Sequence, residues 1–389
     1  MNTRPAIESS NHPVALSACF NQDATCFAVG LNTGFCIFNS EPCQLRVTRD
    51  FKAGIAHVAM LGKANYIAII GGGTHPKFPP NRITIWDDAK QRPVITIPVL
   101  STIRSVRLSR SFIVIALHNS IHVYNFKSTP DVWAVFETAD NPLGLCCLGE
   151  KRLAFPGRTR GQVQLVELGT KNLSIIPAHS GALVAIAVSR DEKTMATASE
   201  TGTLVRVFAT SNCARIAELR RGVDHATVFD VKISPGGMMV AVTSDKSTLH
   251  VFDVSHPSKP SISSATNSNR RLNSTGSMRG GSPAAEESQK WGLLGKIPLL
   301  PRVFSDVYSF ASAHFEIGDE ALYGATSPLN SPEGGFRAPK GVIGWTSDES
   351  IIVVGAGRDG RWEKFVIVEG DDGKRVCVRE GWKRYLGAG

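Results

Sequence analysis

The segment Ala196-Thr-Ala-Ser-Glu-Thr-Gly-Thr-Leu-Val-Arg-Val-Phe208 returns as Ala241-Val-Thr-Ser-Asp-Lys-Ser-Thr-Leu-His-Val-Phe252, with Ser199 and Ser244 standing 45 positions apart. A repeat of this length is the span of one four-stranded propeller blade, a unit that cannot bury its apolar faces alone and must stack on its neighbours. Weaker copies run from Phe27 to Phe38 and from Ile113 to Tyr124, each an apolar strand, a polar turn, and a second strand ending in an aromatic residue. Between Pro13 and Val254 short runs rich in Val, Ile, Phe and Thr alternate with turn signals, as in Cys26-Phe-Ala-Val-Gly30 and Phe112-Ile-Val-Ile-Ala116. Such runs read as strands. No long amphipathic helix stands out. A sandwich or a barrel accounts for short strands but not for the echo. The expected class is therefore all-β, a seven-bladed β-propeller of WD-repeat type. Its units fall near 13–52, 53–101, 102–141, 142–181, 182–225, 226–318 and 319–389, after a disordered stretch at 1–12.

One segment breaks the rhythm. From His256 to Ser305 the chain is rich in Ser, Asn, Pro and Gly, and it reads as a long flexible loop within the sixth unit. Its first part has the composition of a disordered segment. Its second part, Trp291-Gly-Leu-Leu-Gly-Lys-Ile-Pro-Leu-Leu-Pro-Arg-Val-Phe304, is apolar and basic. The loop carries seven Lys or Arg against two Glu, so more than half of the chain's net charge of +9 is concentrated there. A basic excess favours a polyanionic partner, either nucleic acid or an anionic membrane. Trp with Lys and Arg beside apolar residues suits the lipid headgroup level. Trp291, Leu293, Leu294, Ile297, Leu299 and Leu300 are the expected insertion residues. The bland alternative is a loop folded back over the propeller edge. Stacking on single-stranded nucleic acid is disfavoured, because Leu and Ile outnumber the aromatic residues. No apolar run is long enough for a membrane-spanning helix, and Met1 to Pro13 carries no signal-peptide core. The eight cysteines form no Cys-x-x-Cys pair, and they read as buried free thiols rather than as zinc ligands.

The tetrapeptide Leu219-Arg220-Arg221-Gly222 closes a strand at the end of the fifth unit. Strand side chains alternate, so adjacent arginines point to opposite faces. In a propeller those faces look into two separate grooves between blades. Arginine suits phosphate because its planar fork donates two parallel hydrogen bonds and stays charged. His179, Ser199, Thr201, Thr203 and Arg206 lie near the first arginine. Ser244, Lys246, Thr248 and His250 lie near the second. Duplicated hydroxyl clusters around two arginines read as two phosphate sites, although single Ser and Thr residues at such positions also tie down β-turns.

The chain carries no Gly-x-Ser-x-Gly, no His-Glu-x-x-His and no phosphate-loop lysine motif, so no enzymatic activity, cofactor or metal is expected. Gly71-Gly-Gly73 has no helix after it, and Asp87-Asp88 reads as a turn. The rival readings are a lipid-independent propeller scaffold for proteins and a basic nucleic-acid binder.

These residues resemble the PROPPIN family, the phosphoinositide-binding propellers called WIPI proteins in animals. The match rests on Leu219 to Gly222, on the blade from Ala178-His179 to Phe208, on Ser244 to Phe252, and on Gly71-Gly-Gly-Thr-His-Pro-Lys-Phe-Pro-Pro-Asn-Arg-Ile-Thr-Ile-Trp-Asp-Asp88. The last stretch is similar to the branch of the third and fourth human WIPI proteins and their fungal relatives. The resemblance implies sites for phosphatidylinositol 3-phosphate and phosphatidylinositol 3,5-bisphosphate. The first is Arg220 with His179, Ser199, Thr201 and Thr203. The second is Arg221 with Ser244, Lys246, Thr248 and His250. It also implies a blade-six loop that enters the bilayer, and a role in autophagy as a recruiting scaffold. A lipid-transfer protein is the implied partner, through blades 2–3 and the Thr74 to Asp88 segment. The implied location is cytoplasmic and peripheral, on endosomal, vacuolar or pre-autophagosomal membranes. A monomer in solution with no nucleic-acid partner is expected. Two departures stand out: Ser247 replaces a usual glycine, and Thr201 stands where a lysine is common.

Overall fold

The interior strands of this chain are apolar on both sides. Cys26–Leu31 and Met239–Ser244 are buried along their whole length, whereas the outlying strand Gln44–Asp50 is largely exposed. A strand buried on both faces needs a neighbour on each side, and stacked blades supply one. The computed structural model describes residues 13–254, 307–317, 339–371 and 373–386. Within these residues the strands form seven antiparallel sheets arranged as a β-propeller, and no helix is present. Five of the sheets are built from four strands consecutive in sequence; in blades 5 and 6 the strand Val307–Tyr308, which precedes the last strand of blade 6, is added to the edge of blade 5. The blade-six segment between Val254 and Val307, with Trp291, Leu293, Leu294, Ile297, Leu299 and Leu300, lies outside the described residues, as does the N-terminal stretch.

Blade 5 comprises Leu183–Val188, Thr194–Ser199, Leu204–Ala209 and Arg215–Arg220 from the centre outward. Blade 6 comprises Val228–Ile233, Met239–Ser244, Thr248–Asp253 and Ala311–His314. The core lies between blades. One cluster joins Val205, Val207 and Leu219 of blade 5 to Val231, Val242 and Phe252 of blade 6. Burial of such Val, Ile and Phe side chains contributes about 1.5–3 kcal/mol each.

The ring closes between blades 7 and 1 without strand exchange among the described residues. Ala15 and Gly357 trade two backbone hydrogen bonds of 3.0 and 2.9 Å. Phe27 and Phe38 of blade 1 pack edge-on against Tyr385, and Trp362 Nε1 donates to Ser40 O at 2.9 Å. A pair of backbone bonds and these side-chain contacts together make the closure.

Blade 5 carries one addition. Val307–Tyr308 pairs in parallel with Leu219 and Arg220 on its outer edge. The chain returning from the blade-six loop thus lies directly beside the double arginine.

Candidate functional site

Strand alternation sets the two arginines apart. Leu219 is fully buried in the core shared with blade 6, so Arg221, two positions on, starts out on the blade-6 side. Glu218 and Arg220 take the opposite face. There Glu218 accepts from Arg206 Nε at 2.7 Å and from Arg215 at 2.8 Å, and Arg220 adds to the positive field that lowers its carboxyl pKa.

On the blade-4 side, His179 Nε2 lies 3.0 Å from Thr197 Oγ1 and 3.2 Å from Thr197 O. Burial, with Arg206 adding to it, pushes the imidazole down to about 4, so His179 is neutral at pH 7. Ser199 Oγ meets Thr201 Oγ1 at 3.1 Å. Arg206 also donates to Ala178 O at 2.6 Å. With two donors held by Glu218 and Ala178, it braces the groove wall. Thr203 contributes its carbonyl, which accepts from Arg221 N at 2.9 Å.

On the blade-6 side, Ser244 Oγ lies 3.4 Å from Thr248 Oγ1, and His250 Nδ1 lies 3.1 Å from Ser309 Oγ. Burial and the Arg221 charge push His250 down to about 4. Lys246 is exposed at the tip of the turn. Arg221 itself is only 8% exposed. Its Nε donates to Gly202 O and its Nη2 to Asp224 O, both at 2.5 Å. Burial lowers its pKa, and Asp245 and Asp224 oppose that shift.

The two turns share one construction. Gly202 N donates to Ser199 O at 2.9 Å, and Ser247 N donates to Ser244 O at 3.1 Å. Both closing residues are left-handed, with φ of 64° and 57°. A glycine at position 247 would be free of strain, and serine there carries a strain of roughly 1 kcal/mol. After the turns the blades differ by one residue. Blade 5 pairs Leu204 with Arg220, and blade 6 pairs Thr248 with His314. His314-Phe315 therefore occupies the backbone position of Arg220-Arg221. Phe315 is 1% exposed and fills the core instead of bonding a turn. The register also aligns Arg206, paired with Thr197, with His250, paired with Val242. The sequence echo alone sets Val205 against His250.

Several participants were not visible in the sequence. Ser309 touches His250 across 59 positions, and Tyr308 sits beside Arg220 by strand pairing. Thr197 anchors His179 from within a strand that reads as plain core. Strand alternation is the one signal that pointed toward Glu218. Elsewhere, Asp88 forms a two-pronged pair with Arg49 at 2.7 and 2.9 Å, and Asp87 caps the next turn. Gly71 serves close packing, since a Cβ there would lie 1.8 Å from Phe78 O. The eight cysteines are free thiols.

Comparison with known proteins agrees with this architecture. Residues 15–276 match the PROPPIN family. The chain is 60% identical over 332 residues to the SVP1-like protein 2 of Emericella nidulans, covering 85% of this chain and 100% of that one. It is 31% identical over 417 residues to the SVP1-like protein 2 of Saccharomyces cerevisiae, covering 94% and 89%. Its fold is similar to that of Kluyveromyces marxianus Hsv2, with a TM-score of 0.70 at 23% identity and coverage of 96% and 99%. It is also similar to the Atg21 propeller in a complex of KlAtg21 with the coiled-coil of AgAtg16, with a TM-score of 0.62 at 18% identity and coverage of 95% and 99%. The chain belongs to the PROPPIN family, the phosphoinositide-binding β-propellers.

Proposed function

We propose that the chain is a non-enzymatic membrane effector that binds phosphatidylinositol 3-phosphate and phosphatidylinositol 3,5-bisphosphate through two rim sites. The observation that carries the reading is the split of Arg220 and Arg221 to opposite faces of blade 5, with a paired hydroxyl cluster and a neutral histidine on each side of the blade. In the first site Arg220 meets the phosphate, with His179, Ser199, Thr201 and Thr203 around it and Arg206 bracing the wall. In the second, Arg221 supplies the charge, Lys246 reaches in from the turn, and Ser244, Thr248 and His250 line the wall. Two weak headgroup contacts on one rigid rim raise avidity by the effective-concentration effect. The basic blade-six loop adds roughly 1 kcal/mol per Lys or Arg near an anionic surface, and its apolar half inserts.

The cellular reading follows the family: a cytoplasmic, peripheral protein on endosomal, vacuolar or pre-autophagosomal membranes that recruits a protein partner in autophagy. Its partner contact is assigned to blades 2–3 around Thr74 to Asp88. This segment is held against blade 1 by Gly54 N donating to His75 O at 2.6 Å, and by Lys77 over the Phe51 ring at 5.5 Å.

The test is flotation with vesicles containing phosphatidylinositol 3-phosphate, comparing wild type with Arg220→Thr and with Arg220→Thr/Arg221→Thr. Binding should fall in the single variant and vanish in the double variant, with circular dichroism unchanged. Undiminished binding by the double variant would remove the arginine sites from the account and leave the basic loop responsible. Serine at Trp291, Leu293 and Leu294 should weaken vesicle binding and spare the affinity for soluble headgroup. Equal vesicle binding by that variant would rule out insertion.

A further inference from the structure

The innermost strands of the seven blades surround a central channel of about 2380 Å³. Ladder register fixes which residues share a level along it. One ring is formed by the residues that pair with the third position of the neighbouring strand in each blade. Five of its members are small or thiols: Cys19, Ala59, Cys147, Ala187 and Gly344. The other two are Arg107 and Lys232. The thiols are occupied, because Cys19 donates to Val58 O at 2.6 Å and Cys147 to Ile186 O at 2.8 Å, each on the next blade. Two long cations therefore project into space that the rest of the ring leaves empty.

The charges in this part of the channel do not balance. Asp230, one level away, is the nearby acid, and it accepts from Val231 N at 2.9 Å and Ile343 N at 3.0 Å. Its remaining charge is shared with Lys232 Nζ at 3.5 Å and, at longer range, with Arg107. Arg107 is enclosed by the ring yet open to channel water, and its guanidinium makes one hydrogen bond, to the carbonyl of its own neighbour Val106 at 2.9 Å. Arg104 also lines the channel, and its Nε is buried without a hydrogen-bond partner. Among the described residues neither arginine forms an ion pair. Arg104, Arg107 and Lys232 against the single carboxylate of Asp230 leave this part of the channel with an excess of positive charge, which attracts an anion. His57 lies in the field of both arginines and, chiefly through burial, is pushed down to about 4, so it adds no charge of its own at pH 7.

We propose that the central channel holds a site, separate from the rim, for a soluble phosphate oxyanion seated between Arg104 and Arg107 and faced by Lys232. Guanidinium forks match phosphate oxygens in pairs, and lysine supplies a further point charge. The ligand class is a free phosphomonoester or polyphosphate, because a lipid headgroup tethered to a bilayer would have to enter the axis of the ring.

The test is titration calorimetry of the full chain with sodium tripolyphosphate, on wild type, Arg220→Thr/Arg221→Thr and Arg104→Gln/Arg107→Gln. The rim variant should keep a binding event that the channel variant loses by about tenfold or more. Lys232→Gln should weaken it several-fold, and tripolyphosphate should raise the Tm of the rim variant. If the channel variant does not fold, the rim variant and Lys232→Gln decide alone. Loss of all tripolyphosphate binding in the rim variant would overturn the proposal. So would wild-type affinity in either channel variant. Vesicle binding that depended on Arg104 and Arg107 would overturn the assignment to a soluble ligand. The rim reading is judged by vesicle flotation and the channel by soluble anion, so each fails on its own.

Discussion

Arg221→Thr should destabilise the protein more than Arg220→Thr does. Arg221 is almost completely buried and ties the Ser199 to Gly202 turn to the chain beyond the strand, through Gly202 O and Asp224 O. Gly202 is buried, so its carbonyl loses a charged hydrogen bond that water does not easily replace, at about 1.5–3 kcal/mol. Asp224 is exposed, and water takes over there at about 0.5–1 kcal/mol. The sum is roughly 2–4 kcal/mol. For a chain of this size the unfolding entropy is about 0.6–0.8 kcal/mol/K, so Tm should fall by about 3–6 °C. Arg220 is half-buried and outside the turn, and its truncation should lower Tm by less than that of Arg221. Differential scanning calorimetry on the two single variants is the assay. Equal Tm values would refute the brace assigned to Arg221. A large shift has a practical consequence: lost lipid binding in any Arg221 variant mixes headgroup contact with a loosened turn, and Arg220→Thr becomes the cleaner probe of the site.

His179, His250 and His57 are held near 4 in the fold, against 6.5 for an ordinary imidazole. As pH falls below about 6.5 the unfolded chain takes up protons that the folded chain refuses, so stability is full above that pH and declines toward about pH 4. Each buried imidazole contributes about 1–3 kcal/mol to the decline, and His250→Gln should flatten part of a Tm-against-pH curve measured from 7 to 4.5; an unchanged slope would count against its burial as a neutral group. Ser247→Gly should stabilise by about 0.5–1 kcal/mol in urea unfolding by releasing the left-handed strain. Gly202→Ala should do the opposite, because a Cβ there would sit 1.8 Å from Ala226 O. At the ring closure, Tyr385→Ala should cost about 3–5 kcal/mol, since it empties a buried aromatic cluster and frees Gly355 O, its partner at 2.8 Å. A change below about 1 kcal/mol would mean that the two backbone bonds between Ala15 and Gly357 close the ring unaided.

Much of the site was legible because it rests on local rules. Alternation along one strand separates Arg220 from Arg221, and a repeated Ser-x-x-Gly/Ser turn brings up the hydroxyls. The histidines needed more than their own surroundings. His250 meets Ser309 only because the chain leaves blade 6, returns along the edge of blade 5 as Val307–Tyr308, and then pairs as Ala311–His314. Arg206 was assigned to the first group by proximity in sequence. In the fold it is held by Glu218 and Ala178, through a cross-strand pair that depends on register.

Short, doubly apolar strands recurring at blade length are written in the sequence, and with them the need for blades to stack. So is the parting of the two arginines, because pleat and period belong to the chain. Which donors are already occupied, how the last blade meets the first, and which residues share a level around the axis follow from the three-dimensional fold alone. Arg107 and Lys232 are 125 positions apart. They come to line one level of the channel because every blade presents its innermost strand to it at the same register. That is a property of the closed ring, carried by no single repeat.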